Sequence, residues 1–199
     1  MSVNLIFPTP ILSEDFRPLT EEEKDVIYSA KSKTRPNAGN VTSQDSYILE
    51  NPKLLELKKF FLEKLDLYAT SIIRPKSPIE FYITQSWINF TEPNGFHHKH
   101  IHQNSVLSGV FYIDVEPDDR IDFYREDIYP FQFDYENFDL LNANAWWMPA
   151  ISSKLYLFPS KLTHGVNPTT GKSTRISLSF NTFFKGTIGI SGNLTELKL

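Results

Sequence analysis

The chain has 199 residues, of which 40% are hydrophobic and 22% are charged. This length and composition predict one globular domain with a substantial core. The net charge of −4 argues against general binding to nucleic acids or anionic membranes. The absence of cysteine excludes disulfides, thiolate metal sites and cysteine nucleophiles.

The sequence shows neither a secretory signal nor a run of roughly 20 apolar residues. We therefore expect a cytoplasmic protein with no membrane span. The whole chain, 1–199, is expected to form a single domain: an N-terminal strand and helical support over 1–78, a core over 79–185 and a tail over 186–199. The oligomeric state is left open, a homodimer included.

Two helices are predicted in the first third of the chain. Thr20 and Glu23 form a capping box, which predicts a helix of about a dozen residues ending before Pro36. Asn51 as cap, with Pro52 at the first helical position, predicts a second helix. Its apolar residues recur at helical spacing and would face a sheet: Leu54, Leu57, Phe61, Leu65 and Tyr68.

Segments rich in β-forming residues follow Pro78. They are 80–90, 106–115, 121–124, 154–158 and 175–184. Helices followed by short strands predict an α+β chain, mainly β, with an antiparallel sandwich or barrel as its core. Residues 125–145, aromatic and acidic, are predicted to be a long insertion between strands, of a kind that often covers active sites.

The histidines are candidates for a metal site: His97, His98, His100, His102 and His164. Histidines two apart on an extended segment share a face, so such a pair can bind one metal together with a ligand from a neighbouring strand. Either His98 and His100 or His100 and His102 have this spacing. We favour the second pair, which lies nearer to the following strand. The simpler alternative is a solvated cluster that binds no metal.

Arg175 opens an alternating, apolar strand. If its side chain faces the interior, it is a buried charge that needs an anion beside it. The alternatives are that it faces solvent or pairs with an internal carboxylate. Asn89 either points into the core or ends its strand, and Trp87 is expected to contribute core or rim packing.

Four segments, taken in order, resemble the Fe(II)/2-oxoglutarate-dependent dioxygenase superfamily. They are His-x-His at 100–102, Ser-Gly-Val-Phe-Tyr-Ile at 108–113, Leu-Phe-Pro-Ser-x-Leu-x-His-x-Val at 157–166 and Arg-Ile-Ser-x-Ser-Phe-Asn at 175–181. The resemblance is greatest to an oxygenase branch found in bacteria and phages and related to prolyl 4-hydroxylases. It implies a double-stranded β-helix, a jelly-roll or cupin-like core, with the N-terminal helices packed on its outer sheet.

The resemblance also implies an enzyme and its metal ligands. By position in the motifs, His100, His102 and His164 would hold Fe(II). The implied reaction consumes O₂ and 2-oxoglutarate, releases succinate and CO₂, and hydroxylates a small-molecule or peptide substrate that the sequence does not identify.

The same motifs imply a binding site for the co-substrate. Arg175 and Ser177 would bind the far carboxylate of 2-oxoglutarate, with Tyr112 and Asn89 nearby. A guanidinium suits that carboxylate because its planar fork makes two charge-assisted hydrogen bonds.

The chain departs from the superfamily pattern at His102, where most members have a carboxylate. Two further interpretations therefore stay open. One is a three-histidine, cupin-type metalloenzyme that does not use 2-oxoglutarate. The other is a non-catalytic jelly-roll, a binding or virion module whose histidines are structural.

Overall fold

The computed structural model describes residues 2–4, 6–125, 131 and 133–199. Its α-helices are α1 (Glu21–Ser29) and α2 (Leu55–Tyr68). Its strands are β1 (Leu12–Asp15), β2 (Thr34–Asn37), β3 (Asn40–Ser43), β4 (Ile79–Thr91), β5 (His97–His100), β6 (Leu107–Asp114), β7 (Arg120–Tyr124), β8 (Ala145–Pro149), β9 (Lys154–Pro159), β10 (Thr163–Val166), β11 (Arg175–Ile188) and β12 (Leu197–Lys198).

The strands form two antiparallel sheets. The larger has the order β1-β9-β6-β11-β4-β3-β2, with β12 paired to the end of β11. The smaller has the order β5-β10-β7-β8. Neighbours in each sheet are mostly distant in sequence, as in a jelly-roll, and the predicted mainly β, double-stranded β-helix fold is confirmed.

Helix α1 begins at the predicted capping box. The Thr20 hydroxyl accepts from the Glu23 backbone N–H at 3.3 Å, and the Glu23 carboxylate accepts from the Thr20 backbone N–H at 2.7 Å. Arg17 forms an ion pair with the same carboxylate at 2.7 Å. The two contacts between Thr20 and Glu23 satisfy backbone N–H groups that have no partner within the helix.

Helix α2 begins one turn later than predicted. Asn51 accepts from the Lys53 backbone N–H at 3.0 Å, but it caps a short 3₁₀ turn, Pro52–Leu54, that leads into the α-helix.

The buried stripe of α2 packs on the outer face of the larger sheet. There the Phe61 ring stacks on Phe180 with centroids 4.8 Å apart. Gly109, opposite Phe180 on β6, leaves room for this ring, because a Cβ there would overlap it.

The larger sheet separates two apolar cores. One lies between the sheet and the helices, and alternate residues of β11, such as Ile176 and Leu178, contribute to it. The other lies between the two sheets and includes Tyr112, Phe123 and Phe158. Because strand side chains alternate between faces, the remaining residues of the same strands face the space between the sheets.

Several elements differ from the sequence-based prediction. The first third of the chain is not only helical: β2 and β3 form a hairpin that extends the larger sheet. Strands β8 and β10 were also not predicted as strands, because each is short and lacks clear alternation. The predicted insertion at 125–145 does lie between β7 and β8, although its residues 126–130 and 132 fall outside the described residues.

Neither helix in the described part of the chain is long and apolar enough to cross a membrane.

Candidate metal and co-substrate site

The candidate site lies between the two sheets, where alternate strand residues face each other. On β11 these residues are Arg175, Ser177 and Ser179, and they line one cavity together with histidines from the smaller sheet. The alternation predicted for this strand therefore places Arg175 inside the barrel.

Three histidines meet on one side of this cavity. His164 on β10 lies directly opposite His100 on β5, and His102 follows two residues after β5 ends. The Nε2 atom of His102 is 3.2 Å from Nε2 of His100 and 3.1 Å from Nε2 of His164. One ligand nitrogen from each ring falls in a group no more than 4.8 Å across. These three side chains can bind one metal ion.

The backbone fixes the ring tautomer of two of these histidines. Nδ1 of His100 lies 2.7 Å from the His98 carbonyl oxygen, and Nδ1 of His164 lies 2.9 Å from the Leu162 carbonyl oxygen. A carbonyl oxygen only accepts, so each Nδ1 carries the proton. Each Nε2 then keeps a free lone pair directed at the other ligands, an arrangement common in metal sites.

Burial keeps these rings neutral. It lowers the pKa of His164 to about 3 and that of His102 to about 4, and it lowers the pKa of His100 as well. Mutual repulsion among the histidines adds to the effect for His102 and His164. Neutral imidazole is the form that binds a metal, so the site is ready for one at neutral pH.

The two possible His-x-His pairs belong to two different histidine groups. Within the described residues, His164 groups with His100 and His102, whereas His98 groups with His97 and His100. The backbone carbonyl of His98 orients His100 instead. His97 stacks on His100 with centroids 4.5 Å apart. One of its ring nitrogens, Nε2, is 3.1 Å from the Asn37 side-chain amide nitrogen of the β2–β3 hairpin.

Arg175 is a buried cation without a protein anion. Its side chain is 5% exposed, and its Nε has no hydrogen-bond partner among the described residues. None of the ion pairs in the described part of the chain includes Arg175. Neither alternative, a solvent-facing arginine or one paired with an internal carboxylate, fits this environment. A buried, unpaired guanidinium is costly, and an anionic ligand would offset that cost.

The remaining predicted site residues lie beside Arg175 in one row across three strands. Ser177 on β11 is directly opposite Asn89 on β4 and Tyr112 on β6. The Tyr112 hydroxyl is buried and has no hydrogen-bond partner among the described residues. Burial raises the pKa of Tyr112 to about 12, so this phenol stays protonated and can donate to an anion.

Asn89 faces the cavity and does not end its strand, because β4 continues to Thr91. Its amide nitrogen donates to Ser179 Oγ at 2.9 Å, and its amide oxygen accepts from Trp87 Nε1 at 3.1 Å. The indole of Trp87 in turn stacks on His102, with centroids 5.8 Å apart and ring planes at 22°. Asn89 therefore links the arginine strand to an aromatic wall against the third histidine.

Sequence reasoning missed a direct contact of Trp87 with the candidate metal site. The signal that could have found it is the period of two along β4, because Trp87, Asn89 and Thr91 share the face that lines the cavity. His97 also lines the cavity, and its contact with Asn37 joins residues 60 positions apart, which a local pattern does not reveal.

Comparison with known proteins gives a family match over the core of the chain. Residues 85–181 match the family described as "Putative 2OG-Fe(II) oxygenase". This range contains the three histidines, Arg175 and the rest of the predicted site. The match confirms the resemblance seen in the sequence. No curated protein sequence matches significantly.

Solved structures with the same fold include several oxygenases. HygX from Streptomyces hygroscopicus, with nickel and 2-oxoglutarate bound, superposes with a TM-score of 0.55 at 11% identity, covering 87% of this chain and 82% of its own. A prolyl-4-hydroxylase from Pseudomonas putida has a TM-score of 0.54 at 12% identity, covering 88% and 92%. A Trichoplax adhaerens prolyl hydroxylase, in complex with a hypoxia inducible factor peptide, has a TM-score of 0.57 at 10% identity, covering 87% and 83%. At these identities the likeness concerns the fold.

Proposed function

We propose that this 2OG-Fe(II) oxygenase, which matches its family over residues 85–181, binds its metal and its co-substrate at the site described above. His100, His102 and His164 hold one Fe(II), and Arg175 binds the far carboxylate of 2-oxoglutarate. The single observation that carries the proposal is that Arg175, in the same cavity as the three histidines, is buried and forms no ion pair with the described residues, and its Nε has no hydrogen-bond partner among them.

The donor set suits both groups. Imidazole nitrogens bind Fe(II), and three protein ligands leave coordination positions open. Three neutral ligands and one arginine make the cavity strongly positive when the metal is bound, which favours a dicarboxylate co-substrate. When bound, Fe(II) with 2-oxoglutarate and O₂ supplies the oxidative chemistry that hydroxylates a substrate while releasing succinate and CO₂.

The chain's own residues would bind and orient the co-substrate, and they exclude water from the cavity. Arg175 offers a planar fork to the carboxylate, and Tyr112 and Ser177 lie beside it as neutral hydroxyl donors. Asn89, held by Ser179 and Trp87, keeps this wall of the cavity rigid. The apolar side chains of Val110, Phe158 and Ile121 line the cavity and limit the access of water.

A second candidate function is favoured by one observation, the histidine at position 102. Three neutral imidazoles leave a bound Fe(II) with its full double charge, whereas a carboxylate would remove one unit. A metalloenzyme that uses three histidines without 2-oxoglutarate would have this ligand set. A non-catalytic jelly-roll module is the third interpretation, and failure to bind any metal would favour it.

The substrate belongs to the small-molecule or peptide class. HygX has a structure with hygromycin B bound, and the Trichoplax adhaerens prolyl hydroxylase has one with a peptide fragment, so the fold accommodates both classes. We further propose a cytoplasmic location and one oxygenase domain comprising support, jelly-roll core and tail.

The test is the affinity for 2-oxoglutarate of the Fe(II)-loaded protein under anaerobic conditions, measured by calorimetry. Replacing Arg175 with Ala removes two charge-assisted hydrogen bonds, each worth about 1.5–3 kcal/mol, so we expect the Kd to rise at least about 100-fold. Metal binding should be retained, and Arg74→Ala, at an exposed arginine that does not line the cavity, serves as the matched control. Unchanged 2-oxoglutarate affinity in Arg175→Ala would contradict the assignment.

A further inference from the structure

His102 lies outside the strands that hold the other two candidate ligands. His100 and His164 face each other on paired strands, whereas His102 comes two residues after the end of β5. Its backbone N–H donates to the Ser160 carbonyl oxygen at 3.0 Å. This hydrogen bond fixes the backbone but does not fix the rotation of the ring about its side-chain bonds. Contacts to the ring itself therefore decide where its Nε2 points.

Trp87 on β4 makes such a contact. Its indole stacks on the His102 ring, with centroids 5.8 Å apart and planes at 22°, and aromatic pairs favour offset stacks at centroid distances of about 4.5–7 Å. The His102 ring is also nearly parallel to that of His164, with centroids 5.0 Å apart and planes at 12°. Rotating the His102 ring would disrupt both stacks. It would also move Nε2 away from the other two ligand nitrogens, which lie 3.2 Å and 3.1 Å from it.

The indole is itself held in one orientation. Its Nε1–H donates to Asn89 Oδ1 at 3.1 Å, and both side chains line the cavity from the same face of β4. The Asn89 amide nitrogen in turn donates to Ser179 Oγ at 2.9 Å and to Ser177 Oγ at 3.4 Å. Asn89 is 4% exposed, so these hydrogen bonds lie in a buried environment that strengthens them. They tie the indole to β11, the strand that carries Arg175.

We propose that Trp87, held by Asn89, is a positioning residue that keeps the His102 ring in the orientation of a metal ligand. Backbone carbonyl oxygens orient His100 and His164 through hydrogen bonds, and the indole orients the third ligand by stacking. An indole nitrogen only donates, so Trp87 acts through His102 and supplies no ligand atom of its own. The inference rests on the proposed metal site. Groups that orient metal ligands affect metal affinity when they are removed.

The experiment is anaerobic titration with Co(II), followed by its visible ligand-field absorption, with no substrate or turnover involved. Trp87→Leu removes the stack and the hydrogen bond to Asn89, and it should weaken Co(II) binding about 2–10-fold, the effect of losing one aromatic pair. The absorption spectrum should also change, because the ligand geometry around the ion changes. Trp87→Phe, which keeps an aromatic face beside His102, should recover most of the affinity and the wild-type spectrum.

A second variant leaves the indole in place but frees it. Asn89→Leu removes the acceptor of the indole N–H, so Co(II) binding should weaken in the same direction, and this variant serves if Trp87→Leu does not fold. Trp147→Leu is the matched control. Trp147 also stacks on an aromatic ring, that of Trp146 with centroids 4.7 Å apart, but it is not among the described residues that line the cavity. This control should bind Co(II) as the wild type does.

Two results would contradict different parts of this account. Wild-type protein that binds no Co(II) would contradict the proposed metal site itself. Tight wild-type binding, with equal affinity and the same spectrum in Trp87→Leu and Asn89→Leu, would overturn only the role of Trp87.

Discussion

The guanidinium carbon of Arg175 lies 5.3 Å from the centre of the Tyr112 ring, on a neighbouring antiparallel strand. The Nε atom of the arginine and the hydroxyl of the tyrosine are both buried, and neither has a hydrogen-bond partner among the described residues. Two adjacent donors without acceptors mark the place where an anion would bind. The predictions below follow from this pair and from the histidines that share its cavity.

Replacing Arg175 with Met should stabilise the protein when neither metal nor co-substrate is bound. A buried cation without a counter-charge is costly, and a similar-sized apolar side chain removes that cost. We expect a gain of about 1 kcal/mol or more, roughly 2–4 °C in Tm for a chain of this size. Thermal unfolding of the two apo proteins measures the difference. A lower Tm for the variant would mean that Arg175 has an internal partner after all.

Acidification from pH 7.5 to 5.0 should destabilise the apo protein. Burial lowers the pKa of His97 to about 3, as it lowers those of His102 and His164, whereas an unfolded chain has histidines near 6.5. Below pH 6.5 the unfolded state therefore binds more protons than the folded state, and stability falls as the pH falls.

Urea unfolding at pH 7.5, 6.0 and 5.0 tests this pH dependence, in a range above the lowered pKa of carboxylates such as Glu23. His164→Gln should show a shallower loss, since one buried histidine is removed. The same burial should let a bound metal survive below about pH 6, where an exposed histidine site would release it. Stability that stays constant from pH 7.5 to 5.0 would argue that the histidines are solvated.

Changing His102 to Asp should keep metal binding, because it gives the site the carboxylate found in most of the superfamily. A negative ligand offsets one unit of the metal's charge, so we expect Fe(II) affinity within about tenfold of the wild type. His102→Leu, which supplies no ligand atom, should lose far more. Anaerobic Fe(II) titration compares the three proteins, and equal affinity for wild type and His102→Leu would exclude position 102 as a ligand.

The sequence was sufficient for the fold class and for the residues that meet at the site. The resemblance of four segments to the oxygenase superfamily implied that Arg175, Ser177 and the three histidines form one site, and they line one cavity in the structure. The sequence could not decide whether Asn89 faces inward, because alternation leaves open which face of a sheet is buried. Nor could it reveal the hydrogen bond that the His102 backbone N–H donates to the Ser160 carbonyl oxygen, which joins segments far apart in the chain.

The most direct test of the central claim is anaerobic titration of the Fe(II)-loaded protein with 2-oxoglutarate, monitored for the weak visible metal-to-ligand charge-transfer band. We predict that the band appears in the wild type and that Arg175→Ala requires far more 2-oxoglutarate to produce it. Iron that binds without producing the band would contradict the assignment of 2-oxoglutarate to this cavity and favour a different three-histidine chemistry. Failure to bind iron would contradict the metal site as well.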